Sequence, residues 1–504
     1  MASTSSITPE RTTIGGVTPI PRMLLGLWQL AGGHDTNVDI DVAARAIEPL
    51  IDLGLNAFDM ADHYGDAELV VGKFRSTSSR EMLAFTKWCP PEDNVKSFEV
   101  AEQAVTRALQ RMNQNQITLL QYHVWDYSDD TYLYNLAHLS NLQSQGKIKH
   151  LGLTNVDAAH LELLIDSGFR IATNQVSCSV LDQRLVKGRL GAICEKHNVG
   201  VIAYGTLLGG FLSEKWLDQD EPESIDTLNW SLRKYLRFLW AAGGWEPFQG
   251  VLRALSVVAR KHDVSIPAVA TRYVLDLPAV SSVIVGCRLS TDSATQAKRN
   301  LAAFSFSLSD EDRSIIQQAQ AALKDIPGDC GDEYRRPPYL TAAGDLSHHL
   351  RSTGNEEVRK ASDEGRRIEY SSGSPWEPIA GYCRAVRTGD YIRVSGTTSV
   401  ALKSLNLEIL GGTSARSQTV AIMDIISRAL KALGGSLSDI VRTRVIIQNE
   451  ADCEDISEAH GWVFRCVGIR PSNTLFVAKL IGAEHLVEIE AEAQVGYTNV
   501  LAIS

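Results

Sequence analysis

LNAFDMADHYG, residues 55–65, is a short apolar run that stops on a carboxylate, Asp59, and passes into a polar loop carrying Tyr64. Five residues, Leu55–Asp59, suit a buried strand and are too few for a helix. Seven comparable runs surround it: Met23–Gly26 before, then Met82–Lys87, Ile117–His123, His150–Thr154, Ala172–Val176, Val199–Tyr204 and Ser282–Gly286. The segments between them have helical period. In one, Phe98, Ala101, Val105, Ala108, Leu109 and Met112 repeat at i, i+3, i+4 spacing, which lays one apolar stripe on a sheet. Eight strand–helix modules in about 300 residues predict a closed parallel (β/α)8 barrel rather than an open sheet.

Working outward, 504 residues hold roughly three average domains, or one barrel and one ordinary domain. The chain is 44% hydrophobic and 22% charged, which excludes disordered, collagen-like and coiled-coil classes. No apolar run reaches the length of a membrane span, and MASTSSITPERTTIGG lacks the pattern of a signal peptide, so a cytoplasmic protein is expected. A net charge of −11 disfavours a broad nucleic-acid or anionic-membrane surface. The eight cysteines contain no CxxC pair, so neither a zinc knuckle nor a redox dithiol is expected.

Beyond about residue 325 the character changes, with PGDCGDEYRRPP and then SHHLRSTGNEEVRKASDEGRR reading as barrel tail plus linker. A second domain follows as strand Ala380–Arg387, strand Tyr391–Ser395, helix Ser414–Leu433, strand Asp439–Ile447, helix Ala451–Cys466, strand Thr474–Leu480 and strand Leu486–Val495. That order predicts a separate α+β unit. The expected division is a barrel over 15–345, a linker over 346–366 and the α+β domain over 367–499.

Active sites of such barrels lie where the strands end. Asp59 and Tyr64 follow the second strand, Lys87 ends the third, His123 the fourth, Thr154 and Asn155 the fifth, Gln175 the sixth and Tyr204 the seventh; Gly286 and Arg288 follow the eighth. Singly, each has an ordinary explanation: a snorkelling lysine, a satisfied core histidine, a helix cap. Apolar strands that repeatedly end in ionisable or amide groups are costly to fold unless those groups meet one another or a ligand. An ammonium such as Lys87 favours the anion of a neighbouring tyrosine and draws Tyr64 into acid/base work. Asp59 would hold Lys87, and His123 would donate to and orient a carbonyl oxygen. No side chain supplies hydride, so a nicotinamide cofactor is expected.

FDMADHYG, FTK, LLQYH, LGLTN, NQV, VIAYGTLLGGFL, and Gly286 with the later NLAAF together resemble the aldo-keto reductase family over about residues 15–345. The family's catalytic tetrad occurs in order as Asp59, Tyr64, Lys87 and His123. The resemblance implies a TIM barrel, NADP(H) as cofactor, no metal, and reduction of an aldehyde or ketone to an alcohol with Tyr64 as proton donor. It further implies that Thr154, Asn155 and Gln175 hold the carboxamide, Tyr204 stacks on the nicotinamide, and Trp28 borders it. Thr206, Leu207, Gly209 and Gly210 match a loop folded over the pyrophosphate. The chain departs from the pattern at Arg299-Asn300, where the family usually has Glu-Asn. Asn300 remains as an adenosine contact, and Arg288 sits where a cation meets a 2′-phosphate, which favours NADP over NAD. Trp28, Trp88 and Trp125 fall where loops rim the mouth and are candidate substrate contacts; Trp230, Tyr235, Trp240 and Trp245 read as packing within an inserted helical segment.

SPWEPIAGYCRAVRTGDYIRVSGTT, GGSLSDIVRTRVII and RPSNTLFVAKL…LVEIEAEAQV resemble the Rid/YjgF family over about 367–499, implying a chorismate-mutase-like α+β fold, trimeric assembly and pockets between subunits. Deaminating members use the arginine of a Pro-x-Arg motif; here the triplet is Pro471-Ser472-Asn473, and asparagine makes no bidentate charged bond to a carboxylate. Glu488, Glu490 and Glu492 alternate with Val487, Ile489 and Ala491, so one face of the last strand is acidic, either beside a pocket or facing solvent or a subunit. Three readings follow: a carbonyl reductase whose second domain binds a small ligand or drives oligomerisation, possible homotrimers included; a bifunctional imine or enamine deaminase and reductase; and an NADPH-sensing regulatory subunit.

Overall fold

The computed structural model describes residues 7–31, 38–90, 96–335, 356–400 and 409–496. The expected barrel residues 336–345, linker residues 346–355 and final residues 497–499 lie outside these. The chain divides into two compact units, the second taking residues 126–132 and 159–169 together with the chain after residue 350.

The first unit begins with a hairpin, β1 (Arg11–Ile14) and β2 (Thr18–Pro21), followed by eight parallel strands: β3 (Met23–Gly26), β4 (Ala57–Asp59), β5 (Leu83–Trp88), β6 (Ile117–His123), β7 (Ile148–Thr154), β8 (Thr173–Ser177), β9 (Gly200–Tyr204) and β10 (Val280–Gly286). They close in the order β10-β3-β4-β5-β6-β7-β8-β9, the expected (β/α)8 barrel. All eight expected strands are present, two with the expected ends and the rest within two residues of them. The helix Phe98–Arg111 buries Ala101, Val105 and Ala108, three positions of the expected stripe, and the Ser97 side chain caps it by accepting from Val100 N at 3.3 Å.

The hairpin was not expected, because RTTI has neither apolar alternation nor length. Its turn is set by Gly15 and Gly16, at φ of 55° and 72°, a conformation that disfavours residues with a Cβ. Ile14 and Ile20 thereby join Leu24, Ala57, Phe85, Leu119 and Ile202 in one buried cluster inside the barrel. Burial of the two isoleucines contributes about 2–3 kcal/mol each towards closing that end.

The second unit is a six-stranded sheet of β11 (Ile368–Tyr370), β12 (Ala385–Thr388), β13 (Tyr391–Thr398), β14 (Ile440–Ile447), β15 (Ser472–Val477) and β16 (Val487–Gln494), ordered β11-β12-β13-β16-β14-β15. Only the β14–β15 pair is parallel. Helices Ala415–Ala432 and Cys453–Val467 bury Ile422, Ile426, Leu430, Ile456 and Phe464 in the same cluster as Val445, Ile489 and Ala491. β16 alternates buried and half-buried positions, as its sequence requires. Two expectations are corrected. The strand expected over Ala380–Arg387 starts only at Ala385, because Trp376–Ala380 is a short helix stopped by Gly381. The expected linker carries a helix, Glu356–Asp363, whose Val358 is buried, and β11 follows it. Among the described residues no helix is long and apolar enough to cross a membrane.

Candidate active site

Residues alternate across a barrel wall, so each strand end chooses which side chain faces the mouth. A cavity of about 350 Å³ opens there, lined by all four tetrad residues, Asp59, Tyr64, Lys87 and His123. Of the expected cofactor residues, Trp28, Thr154, Asn155, Gln175 and Tyr204 line it, as do Thr206, Leu207, Gly209, Gly210, Gly286 and Arg288. Asn300 does not; it sits half-buried on the helix Ser293–Leu301. Trp125 lines the cavity, but the substrate contact expected at Trp88 is corrected. With Lys87 facing inward, Trp88 faces outward and packs edge-on against Tyr122, ring centres 5.5 Å apart.

Lys87 Nζ donates to Asp59 Oδ2 at 2.5 Å and to the Met60 carbonyl at 2.8 Å. The other carboxylate oxygen, Asp59 Oδ1, accepts from Gln121 Nε2 at 2.9 Å and Gln175 Nε2 at 2.8 Å. A buried ion pair whose carboxylate takes two further hydrogen bonds holds its charges in one geometry. That geometry puts the ammonium 5.0 Å from the centre of the Tyr64 ring.

His123 is completed from one side only. Its Nδ1 lies 3.4 Å from Asn155 Nδ2, an amide that can only donate, while Nε2 is buried with no partner among the described residues. Accepting at Nδ1 places the ring proton on Nε2, so an N–H points into the cavity. Burial, then the charges of Arg335, His63, Lys234 and Lys87, push the His123 pKa well below its ordinary value, which keeps the ring neutral. Thr154 Oγ1 is a second buried polar atom there without a partner among the described residues.

The cofactor-facing wall has matching features. Gly209 adopts φ 67°, and a Cβ there would come within 2.8 Å of the Ser231 backbone. Gly210, at φ 112°, faces open space. Arg288 is exposed on the rim, an available cation for a phosphate. These features fit a dinucleotide: backbone that can be approached closely, a rim cation and unpartnered buried groups at the reacting end. Asp62, His63 and Cys89 also bring possible metal-ligating atoms within 4.8 Å of one another beside the tetrad, with Asp62 already bonded to His63 Nδ1 and to the Cys89 N–H.

The tail of the expected barrel carries residues that the sequence does not point to. It folds into the mouth: the short helix Asp332–Tyr334 is buried throughout. Tyr334 lines the cavity, with its ring 5.4 Å from His123 and 6.2 Å from Trp125. Glu333 Oε1 and Asn155 Oδ1 both accept from the Tyr204 hydroxyl, at 3.1 and 2.7 Å. Burial, with Tyr334 and Glu333 adding to it, raises the Tyr204 pKa well above its ordinary value, so the phenol remains a donor. Arg184, held by a bidentate pair with its neighbour Asp182 at 2.8 and 2.7 Å, anchors the tail by a bond from Nη1 to Glu333 Oε2 at 2.7 Å. Burial alone would raise the Glu333 carboxyl; Arg184 outweighs it and holds the group below its usual range. The inserted helix Trp230–Ala241 supplies Lys234 and Tyr235 to the cavity, whereas Trp230, Trp240 and Trp245 do not line it.

In the second unit Asn473 is exposed and accepts a bond from Thr443 Oγ1 at 3.2 Å; Thr443 in turn bonds His460 Nε2 at 2.9 Å. Burial pushes the His460 pKa down to about 4. Glu490 pairs with Arg444 at 2.8 Å, and Arg470 is exposed. The acidic face of β16 is thus partly neutralised across the sheet.

The Aldo/keto reductase family model matches residues 22–321, and that of Endoribonuclease L-PSP matches 373–495. The NADH-specific methylglyoxal reductase of Escherichia coli is 24% identical over 330 residues, 60% of this chain and 96% of that protein. The chloroplastic pyridoxal reductase of Arabidopsis thaliana is 25% identical over 302 residues, 54% of this chain and 79% of that one. Among solved structures, the glycerol dehydrogenase of Gluconobacter oxydans superposes with a TM-score of 0.52 at 25% identity, covering 63% of this chain and 97% of its own. The ion pair beneath Tyr64 and the neutral His123 donor are features that carbonyl chemistry uses, and the match spans well over half the sequence. The chain belongs to the aldo/keto reductase family, an NAD(P)H-dependent oxidoreductase joined to a second domain of the Endoribonuclease L-PSP (Rid) type.

Proposed function

We propose that the barrel reduces an aldehyde or ketone to an alcohol, with Tyr64 as the proton donor. The observation that carries this reading is the His123 Nε2–H, buried, aimed into the cavity and without a partner among the described residues. A carbonyl oxygen accepting from it sits beside Tyr64, and His123 thereby orients the bond for proton transfer. As the oxygen takes the phenolic proton, the Lys87 ammonium favours the tyrosinate left behind, and Asp59 keeps the ammonium in place. A nicotinamide, when bound, supplies the hydride. Thr154, Asn155 and Gln175 would hold its carboxamide, Tyr204 its ring, and Gly209 and Gly210 its pyrophosphate. Arg288 supports NADP over NAD; the bacterial relative is named as NADH-specific, and the choice is measured as the NADPH/NADH ratio of kcat/KM in wild type and Arg288→Ala.

The reading is tested by following NADPH and NADH oxidation against a panel of aldehydes and ketones with wild type and Tyr64→Phe. Substrate-dependent turnover that falls by at least about a hundredfold in the variant supports it. Equal turnover in both proteins, or none, refutes it. The expected site of action is the cytoplasm. For the second unit we propose an oligomerisation role, a homotrimer by family resemblance. The helices cover one face of its sheet, while Val441, Phe476 and Val477 are exposed. Light scattering should find a trimer that Phe476→Glu weakens; a monomeric wild type refutes it. Asn473 in place of the arginine speaks against the deaminase alternative.

A further inference from the structure

We infer that His63 takes a hydroxyl group of the substrate, so that the barrel prefers carbonyl compounds with a hydroxyl on the neighbouring carbon. This rests on the reductase reading and specifies the substrate class of that site. His63 precedes Tyr64 in the loop after β4, is half-buried and lines the cavity. Its ring meets that of Tyr64 at 82°, with centres 4.8 Å apart, so it stands beside the proposed proton donor. His63 is also among the groups whose charge acts on His123, which puts both imidazoles at the reacting end of the cavity.

Hydrogen-bond partners decide what each imidazole offers. Asp62 Oδ2 accepts from the Cys89 N–H at 3.1 Å, and Asp62 Oδ1 lies 3.0 Å from His63 Nδ1. A carboxylate only accepts, so the proton of a neutral His63 ring sits on Nδ1 and Nε2 is left with its lone pair. That nitrogen has no partner among the described residues. His123 has the reverse arrangement: its Nδ1 faces the Asn155 amide nitrogen at 3.4 Å, and Nε2 carries the proton. The mouth therefore presents one imidazole donor and one imidazole acceptor near Tyr64. A carbonyl oxygen matches the first and a hydroxyl the second. A hydroxyl also accepts, so it fits His63 in either charge state, whereas an ether or a second carbonyl meets only the protonated ring. Holding the substrate at a second polar group beside the reacting carbon turns binding energy into orientation.

The test compares isosteric pairs in the full chain, with kcat/KM as the readout. Hydroxyacetone against butanone, and glycolaldehyde against propanal, exchange a hydroxyl for a methyl on the carbon next to the carbonyl. Wild type is expected to favour the hydroxyl member, and the ratio to fall by about fivefold or more in His63→Phe, which keeps a ring against Tyr64. The inductive effect of the hydroxyl is the same in both proteins, and a general disturbance of the mouth would lower both members equally; neither moves the ratio between proteins. Asp62→Asn reads the tautomer itself. The Cys89 N–H holds the oxygen of the new amide, which turns its NH2 towards His63 Nδ1 and moves the ring proton to Nε2. Methoxyacetone, whose ether oxygen only accepts, should then gain about fivefold on hydroxyacetone relative to wild type. A hydroxyl preference absent from wild type or kept in His63→Phe overturns the inference, as does a methoxyacetone ratio unmoved by Asp62→Asn. Saturation-transfer NMR of hydroxyacetone reads the contact without turnover. No turnover of any carbonyl together with His63-dependent binding overturns the reductase reading and supports the hydroxyl contact; binding left unchanged in His63→Phe overturns the contact itself.

Discussion

Replacing Arg184 by methionine separates the structural function of the buried charge cluster from the chemistry at the mouth. The guanidinium side chain is 5% exposed, and its partners Asp182 and Glu333 are 0% and 2% exposed. Removing one member of a buried pair costs about 3–5 kcal/mol, because the other is left charged in a low-dielectric site. Two carboxylates are stranded here, which puts the expected loss towards the upper end, and Arg184 also donates to the Asp329 carbonyl at 2.9 Å. Unfolding in urea, followed by tryptophan fluorescence, reads mainly the barrel, since seven of the nine tryptophans precede residue 350. The pH dependence has a defined sign. In wild type, the Glu333 carboxyl is held low and contributes stability above its unfolded pKa, lost as pH falls through the folded value. Without Arg184, burial raises the Glu333 carboxyl, so the variant loses stability as pH rises through its folded value. The gap between the proteins therefore narrows as pH is lowered from 7 towards 4. Adding Asp182→Asn and Glu333→Gln to the variant should restore most of the loss. A single variant within about 1 kcal/mol of wild type, or a triple variant no better than the single, would refute the assignment of the cost to stranded charge.

Asp59→Asn should lower kcat by about 10²–10³-fold with little change in NADPH affinity, measured by steady-state kinetics beside fluorescence titration, since it removes the anion that holds Lys87. Gly209→Ala should weaken NADPH binding and cost about 1–3 kcal/mol of stability, because alanine at φ 67° is strained and its Cβ meets the Ser231 backbone; an unchanged Kd and urea midpoint would count against a tight loop there. The Asp329 carboxyl is pushed up to about 7 by burial and then by Asp157, so its contribution to stability is greatest at low pH and is lost as pH rises towards 7. Asp329→Asn should flatten that part of the stability profile, and a slope between pH 5 and 8 equal to wild type would contradict it.

What was legible in the sequence, and what was not, follows from how each residue reaches the mouth. Asp59, Lys87, His123 and Gln175 stand at or beside the ends of short apolar runs, where the change to polar character marks both the strand and its tip. The second unit is legible from its periods: Val487, Ile489 and Ala491 alternate with glutamates, and its two long helices carry apolar stripes. For Trp88, chain distance alone suggests a place on the rim, whereas the neighbour of an inward lysine must face outward. The hairpin Arg11–Pro21 was missed because four-residue strands of mixed polarity carry no period; its double glycine was the one local signal.

The tail shows the limit most clearly. PGDCGDEYRRPP has the Gly, Pro and charge content of a linker, yet Cys330, Asp332, Glu333 and Tyr334 are buried. Nothing local distinguishes a solvated acid from one paired with an arginine 149 residues earlier. The pairing partner, Arg184, sits in a segment whose own sequence, LDQRLVK, is equally ordinary. Such a contact becomes visible only when the barrel closes and brings the end of β9, the loop after β8 and the tail to one rim. The same closure gives Tyr334 its place 5.4 Å from His123, a position that depends on long-range geometry alone. Asp59, Lys87 and His123, by contrast, stand at strand ends and are written locally.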